Sequence, residues 1–519
     1  MVPKSSSGNP SIGAATFSAA LRLDVLSICS ETPLDVAIIG GGITGAGCLR
    51  DAAMRSLRAA LFEREDFAVG TSSRSSKLIH GGLRYLETFD WGLVFEASRE
   101  RKILLKTASP WVQPLPFLVP VYRGHRWGLP AVAAGVWLYD LLSAFRNVGH
   151  PSIYSRGKTR QLEPELRREG LIGSVLYYDA AVHDTALTLA NVRSGWDQGG
   201  LACNHAEVTR FLEENERVTG VVVRDRLSGK SFDIRARWVV NATGPWSDLT
   251  RAKLNPSLKK RLRLTKGVHI ILAPRRLSRR RAMLLLAPSD GRVTFVIPWC
   301  GSTLVGTTET DFEGDPATVC PGRTDVDYLL DTANYYFPNE KLLRADIVSV
   351  FAGLRPLLQD EHNLPSKVSR EHHLFSDRPG LLTIAGGKYT TYRRMAEETV
   401  DWLAAHTPEW RSRLNPCRTA EDSIRPTSPA SALDLFVSPP PDEFRSIALH
   451  AIEREMAATV SDVLGRRLSL LLLDRQHGSG AVENVAQILR ERLGWTSDEA
   501  ARQVREYREL IRLARSGLD

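Results

Sequence analysis

Residues 35–39 (Asp-Val-Ala-Ile-Ile) form a short apolar run that ends in a glycine cluster, and a second apolar run closes at Glu63 after a helix-like stretch. Run, glycine turn, helix and run is the layout of a β-α-β unit over residues 34–63. Apolar runs at residues 238–241, 295–299, 303–306 and 381–385 predict further strands, set apart by charged or Pro/Gly-rich joints. No repeat of fixed period appears. Between residues 424 and 443, Pro426, Pro429, Pro439, Pro440 and Pro441 forbid a continuous helix and predict an extended linker. Beyond it, Ile447, Ile452, Met456, Val460, Val463, Leu464 and Leu468 approximate i, i+3/i+4 spacing, and Thr496-Ser497-Asp498-Glu499 resembles a capping box, so a helical unit is expected over residues 444–519.

The longest apolar stretch, residues 129–142, contains Asp140 and is shorter than the roughly 20 residues a bilayer span needs. Residues 1–34 are rich in Ser and Ala, carry only Lys4 and Arg22 as basic residues, and lack an apolar segment followed by a cleavage site. They read as a poorly ordered extension. With 519 residues, 43% hydrophobic and 24% charged, the chain has room for two or three globular domains. Cys29, Cys48, Cys203, Cys300, Cys320 and Cys417 lie far apart without metal-ligand spacing and read as reduced, mostly buried and not metal-binding. The net charge of +9 calls for an anionic partner. Its densest clusters are Lys259, Lys260, Arg261, Arg263 and Lys266, then Arg275, Arg276, Arg279, Arg280 and Arg281. Without a recognition helix, aromatic RNA-binding motif or zinc module, nucleic acid is the weakest partner for them.

Gly40-Gly41-Gly42-Ile43-Thr44-Gly45 fits G-x-G-x-x-G directly behind the first strand, and Glu63 follows Gly45 by 18 residues. In this setting Gly40 permits the tight turn, Gly42 lets the backbone approach a pyrophosphate, Gly45 lets helix pack on strand, and Glu63 accepts hydrogen bonds from ribose hydroxyls. A second feature bears on which dinucleotide binds. Gly70-Thr71-Ser72-Ser73-Arg74-Ser75-Ser76-Lys77 offers hydroxyls and amides to the pyrophosphate and flavin side of an extended cofactor; the competing reading is a serine-rich surface loop.

The run Ser72-Ser73-Arg74-Ser75-Ser76-Lys77-Leu78-Ile79-His80-Gly81-Gly82-Leu83-Arg84-Tyr85-Leu86 resembles the signature of the FAD-dependent glycerol-3-phosphate dehydrogenase family. Similar blocks are Asn241-Ala242-Thr243-Gly244-Pro245-Trp246, Thr265-Lys266-Gly267-Val268-His269, Gly306-Thr307-Thr308-Glu309, Gly353-Leu354-Arg355-Pro356 and Gly386-Gly387-Lys388-Tyr389-Thr390-Thr391-Tyr392-Arg393. The resemblance implies an α/β, D-amino-acid-oxidase-like fold. A Rossmann-type FAD domain would take residues 35–115, 180–255 and 350–405, a sheet-based substrate domain residues 116–179 and 256–349, a linker residues 425–443, and a C-terminal helical cap residues 444–519. It implies FAD as cofactor, with Arg64, Thr71, Ser72, Ser73, Lys77, His80, Thr243, Gly244, Gly353, Gly387, Lys388 and Thr390 beside Gly40, Gly42, Gly45 and Glu63. It further implies peripheral attachment to the cytoplasmic side of the cell membrane, with the Arg275 to Arg281 cluster at anionic lipid, and leaves room for a homodimer.

The implied reaction removes a hydride from C2 of sn-glycerol 3-phosphate to flavin N5 and passes the electrons to a membrane quinone. Arg84, Arg355, Arg370 and Lys388, with Tyr85, would hold the phosphate-bearing substrate, because guanidinium forks match phosphate oxygens. The hydroxyl proton needs a base that arginine cannot provide, so a histidine or a water held by one is expected, with His269 and His80 as candidates and contact with the flavin ring as the other reading of His80. Lys388 is also placed to stabilise charge on the reduced flavin. Two positions depart from the family pattern: Glu309 where aspartate is usual and Phe351 where tyrosine is frequent. Three alternatives remain: an oxidase that uses oxygen, a related flavin enzyme acting on an amino acid or 2-hydroxy acid, and a flavin-binding protein without turnover.

Overall fold

The computed structural model describes residues 16–82, 90–143, 148–274, 276–277, 280–359, 371–426, 441–515 and 517–518. Two sheets organise them. In the first, Leu34–Ile39 lies between Ser231–Asn241 and Ala59–Phe62, all parallel, with Leu381–Gly386 and Leu201–Cys203 extending the parallel order on either side. The central strands are covered on both faces, which is why they read as continuous apolar runs without alternation. Helix Ile43–Met54 follows the first strand and packs against helices Asp184–Asp197 and Tyr392–Ala405.

The second sheet has ten strands, most of them antiparallel. Its spine is Leu262–Leu272, flanked by Ile347–Leu358 on one side and by Ser302–Gly306 and Thr310–Phe312 on the other. The runs expected at residues 238–241, 295–299, 303–306 and 381–385 all fall within strands. The domain boundaries need correction: 115/116, 179/180 and 349/350 each cut through a strand of the second sheet, Val112–Tyr122, Leu171–Val182 and Ile347–Leu358. These strands are 11 or 12 residues long and run on from the outer sheet toward the cofactor half, so no turn residue marks a border.

Residues 16–34 are not a loose extension. Helix Arg22–Glu31 buries Val25, Leu26 and Cys29 in the core of the first sheet, and Phe17 packs on Phe67 and Trp196 with ring centroids 6.0 and 5.1 Å apart. Arg22 is spent on Asp225 at 2.6 Å and on the Asn204 carbonyl. The C-terminal unit has its own core, with Ile452, Val463, Leu464, Val485, Leu489 and Tyr507. Thr496 accepts the Glu499 N–H at 3.1 Å and starts the last helix, Ser497–Arg515. The periodicity across Met456 does not make one helix. Helix Pro441–Arg454 ends before it, and Met456 takes a positive φ of 55° and joins the core of the first sheet. Among the cysteines only Cys29, Cys48 and Cys203 are buried, while Cys320 is exposed, and all six are free thiols.

Truncating the buried Phe17 ring to alanine is expected to cost about 3–5 kcal/mol. A thermal scan following flavin release should show the Phe17→Ala protein melting several degrees lower, and an unchanged melt would mean that this segment is only loosely attached.

Candidate functional site

Two cavities lie back to back where the sheets meet. The first, about 350 Å³, runs along the carboxyl ends of the parallel strands. Gly40, Gly42, Glu63, Arg64, Thr71, Ser72, Thr243, Gly244, Gly387 and Lys388, all expected there from the sequence, line it together with Ser75, Trp246 and Tyr389. Gly45 sits behind this wall, where a Cβ would collide with the Gly40 carbonyl, so the helix can lie this close to the turn only with glycine. The Glu63 carboxylate accepts the Gly41 N–H at 2.6 Å and the Glu65 N–H at 2.8 Å. Burial pushes its carboxyl up, against the pull of those two N–H groups. Ser72 Oγ accepts the Ile43 N–H at 2.8 Å and ties the serine loop to the helix start. A fixed carboxylate, a glycine turn at a helix N-terminus, several hydroxyls and a lysine are the donor set that FAD requires for its ribose, pyrophosphate and ring, and the residues fit that group.

Five more residues expected at the cofactor, besides Gly45, do not line this cavity. The Lys77 ammonium, 1% exposed, lies 2.8 Å from Asp184 and donates at 2.7 Å to the Ser73 carbonyl. It is a structural cation. Ser73 supplies that carbonyl and turns its hydroxyl to Gly70 O. Gly353 passes under the loop, where a Cβ would meet the Arg74 carbonyl oxygen. Thr390 and His80 hold each other, the His80 N–H lying 3.3 Å from Thr390 Oγ1, and His80 opens on the second cavity.

That second cavity, about 640 Å³, has a polar end with Ser76, His80, Thr307, Glu309 and Arg355, and an apolar wall with Phe117, Val119, Val136, Leu138, Tyr177 and Phe295. The two cavities share their partition. Ser75 faces one and Ser76 the other, and Pro356 faces one and Arg355 the other, the second pair by the alternation of strand Ile347–Leu358. Arg355 donates to Thr307 Oγ1 at 3.2 Å and stands 3.9 Å from Glu309. His269 is 2% exposed, stacks on Phe351 at 4.9 Å and 12°, and touches Ser76 Oγ through Nε2 at 2.9 Å. Burial, reinforced by the Arg355 and Lys77 charges, holds its pKa well below 6.5, so the ring is neutral near pH 7. Lys388 opens on the first cavity and Arg355 on the second, while Arg84, Tyr85 and Arg370 lie outside the described residues.

Thr307 and Asp184 were given no role from the sequence, Ser76 entered only as one hydroxyl of the serine loop, and Glu309 only as a departure from the family pattern. Nothing there sets Ser76 apart from its neighbouring serines, and Asp184 lies 107 residues from its lysine. In the basic cluster, Arg276 is engaged by Glu340 and Asp346 and Arg281 by Glu163, whereas Arg275 and Arg279 lie outside the described residues. Exposed apolar side chains gather elsewhere, at Trp127, Trp137, Leu138 and Leu141 on and beside helix Leu129–Leu142, and at Trp91 and Phe95. No described helix is long and apolar enough to cross a membrane.

Fold and site together define an FAD-dependent oxidoreductase of the D-amino-acid-oxidase type. The profile of the FAD dependent oxidoreductase family matches residues 35–393, and that of the C-terminal domain of alpha-glycerophosphate oxidase matches residues 426–500. Glycerol-3-phosphate dehydrogenase of Mycobacterium leprae is 37% identical over 91% of this chain and 87% of its own. Aerobic glycerol-3-phosphate dehydrogenase of Staphylococcus haemolyticus is 37% identical over 80% of this chain and 76% of its own. The structure of glycerol-3-phosphate dehydrogenase from Bacillus halodurans complexed with FAD superposes with a TM-score of 0.79 at 30% identity, covering 97% of this chain and 99% of that one. Glycine oxidase from Bacillus cereus, with a TM-score of 0.54 at 20% identity over 72% of this chain and 97% of its own, shares the fold. The chain belongs to the FAD-dependent glycerol-3-phosphate dehydrogenase family.

Removing one partner of a buried ion pair leaves the other charge unpaired, at a cost of about 3–5 kcal/mol. Lys77→Met is therefore expected to melt well below the parent, and Lys77→Met/Asp184→Asn to recover much of the loss. A double variant no more stable than the single one would remove the pair from its structural role.

Proposed function

We propose that this protein oxidises sn-glycerol 3-phosphate to dihydroxyacetone phosphate and delivers the electrons to a quinone. The observation that carries the reading is that Arg355, Ser76 and His80 meet at the polar end of a cavity whose partition is shared with the FAD cavity. FAD, when bound, supplies the acceptor for the hydride from C2. The chain's own residues bind, orient and deprotonate. Arg355 offers a guanidinium fork already aligned by Thr307, and a phosphate dianion suits that fork. On the motif resemblance, Arg84, Tyr85 and Arg370 join it, with Lys388 reaching from the cofactor side. His269, neutral because it is buried, is the base.

The apolar wall supports a quinone as acceptor, since a triose phosphate has no use for Phe117, Val136 and Phe295. The exposed Trp137, Leu138 and Leu141 support attachment to one membrane leaflet through helix Leu129–Leu142. An apolar face is the better candidate for the lipid contact than the arginine cluster, two of whose members, Arg276 and Arg281, are occupied by carboxylates.

The test is anaerobic spectroscopy. Glycerol 3-phosphate should bleach the yellow protein, and a soluble quinone should restore the colour faster than air does; faster recovery in air would make the protein an oxidase. Arg355→Ala and Lys388→Ala should stay yellow and lose bleaching, and normal reduction of both would refute the phosphate clamp.

The His269 base works while neutral, so activity is expected to hold as pH falls to 6.5 and to be lost only further down, as the ring takes up a proton. A pH profile of kcat/KM with its acid limb at or above 6.5 would remove His269 from the role.

A further inference from the structure

His269 is buried behind the wall of the second cavity, on strand Leu262–Leu272 between Phe351 and Gly306 of the neighbouring strands. The ring nitrogen Nε2 is 2.9 Å from Ser76 Oγ, and Nδ1 has no hydrogen-bond partner among the described residues. Ser76, in contrast, lines the cavity beside Arg355 and Thr307. We propose that Ser76 relays the substrate's hydroxyl proton to His269, so that a base sealed away from water acts on an alcohol it does not touch. The proposal rests on the function given above.

Three features make Ser76 suited to this. Its backbone is fixed from both sides: the Ser75 hydroxyl donates to Asp184 at 2.6 Å, and the Lys77 ammonium grips the same carboxylate. With the ring proton on Nδ1, Nε2 accepts the Ser76 hydroxyl, which leaves the oxygen lone pairs to face the cavity. The neighbouring Arg355 orients the charged end of the substrate, and burial, reinforced by the Arg355 and Lys77 charges, keeps the imidazole from holding a proton at rest. In the reaction C2 loses a hydride to the cofactor. The substrate O–H bond breaks toward Ser76 Oγ as the Ser76 O–H bond breaks toward Nε2, and the O–H electron pair becomes the second C–O bond of the ketone. The proton on His269 returns to solvent once the product leaves.

Ser76→Ala is expected to slow anaerobic bleaching by glycerol 3-phosphate about 10²-fold, the usual size of a general acid–base contribution. Flavin absorbance and the affinity for dihydroxyacetone phosphate, read by spectral titration, should stay at the parent values, and Ser76→Thr should restore most of the rate. A serine that only props the imidazole would shift affinity or flavin content instead. Equal bleaching rates for the parent and Ser76→Ala, with the same acid limb, would overturn the relay while leaving the function intact; a parent that does not bleach would overturn the function itself. If Ser76→Ala fails to hold FAD, the bleaching rate of the parent in mixtures of light and heavy water decides. Two protons in flight give a curved dependence, and a linear or flat one refutes the relay.

Discussion

The buried pair of Lys77 and Asp184 fixes the geometry on which the rest depends. Both side chains are almost wholly excluded from water, at 1% and 0% exposure, and an ion pair there persists only if its remaining hydrogen bonds are satisfied. Asp184 meets that condition by accepting from the Ser75 hydroxyl and the Thr185 N–H, and Lys77 by donating to the Ser73 carbonyl. The pair thus bolts the serine loop to the start of helix Asp184–Asp197. That loop begins in the cofactor cradle, where Ser72 holds the Ile43 N–H, and ends as the strand Leu78–Ile79 of the second sheet. One rigid turn therefore sets the distance between the nucleotide half and the half that carries His269 and Arg355.

The division of labour across the partition follows from alternation. A strand residue faces one side and its neighbour the other, so Arg355 and Pro356 serve opposite cavities from adjacent positions, and Ser75 and Ser76 do the same from the loop that precedes strand Leu78–Ile79. Arg355 and Ser76 are thereby brought to the wall between the two cavities without lining the first. Burial does the remaining work. It removes the proton from His269, and two nearby cations keep it off.

The nucleotide half was legible in the sequence because its signals are local. The glycine turn, Glu63 and the apolar strands around them each lie within a short window, and the structure assembles them as read. Contacts between distant segments carry no such mark. Lys77 belongs to a motif that lines the first cavity at other positions, so its role could not be separated from theirs, and its partner sits more than a hundred residues away. Phe17 and Arg22 lie in a Ser- and Ala-rich stretch of weak amphipathicity, yet tertiary burial against Phe67, Trp196 and Asp225 orders it. Met456 keeps the helical spacing of its neighbours but breaks the helix, because its side chain is drawn into the core of the other domain.

The C-terminal helical unit lines neither of the two cavities, and its place in the molecule is explained by what it grips. Asp66, wholly buried, closes the turn that begins with Glu63; it accepts from Asn204, from Arg466 at 2.8 Å and from Arg467. His205, on the adjoining segment, meets Asp462 at 2.8 Å, and that carboxyl is held far below the usual range by His205, Arg466 and Arg467 despite its burial. Carboxylates this deep, each facing more than one cation, hold the turn in one conformation, since any other would strand a charge away from water. The carboxylate at the head of that turn, Glu63, lines the first cavity. The C-terminal unit thus bears on the cavity from behind, through Arg466 and Arg467 on Asp66, and the fixed turn that carries Glu63 is held from both ends of the chain.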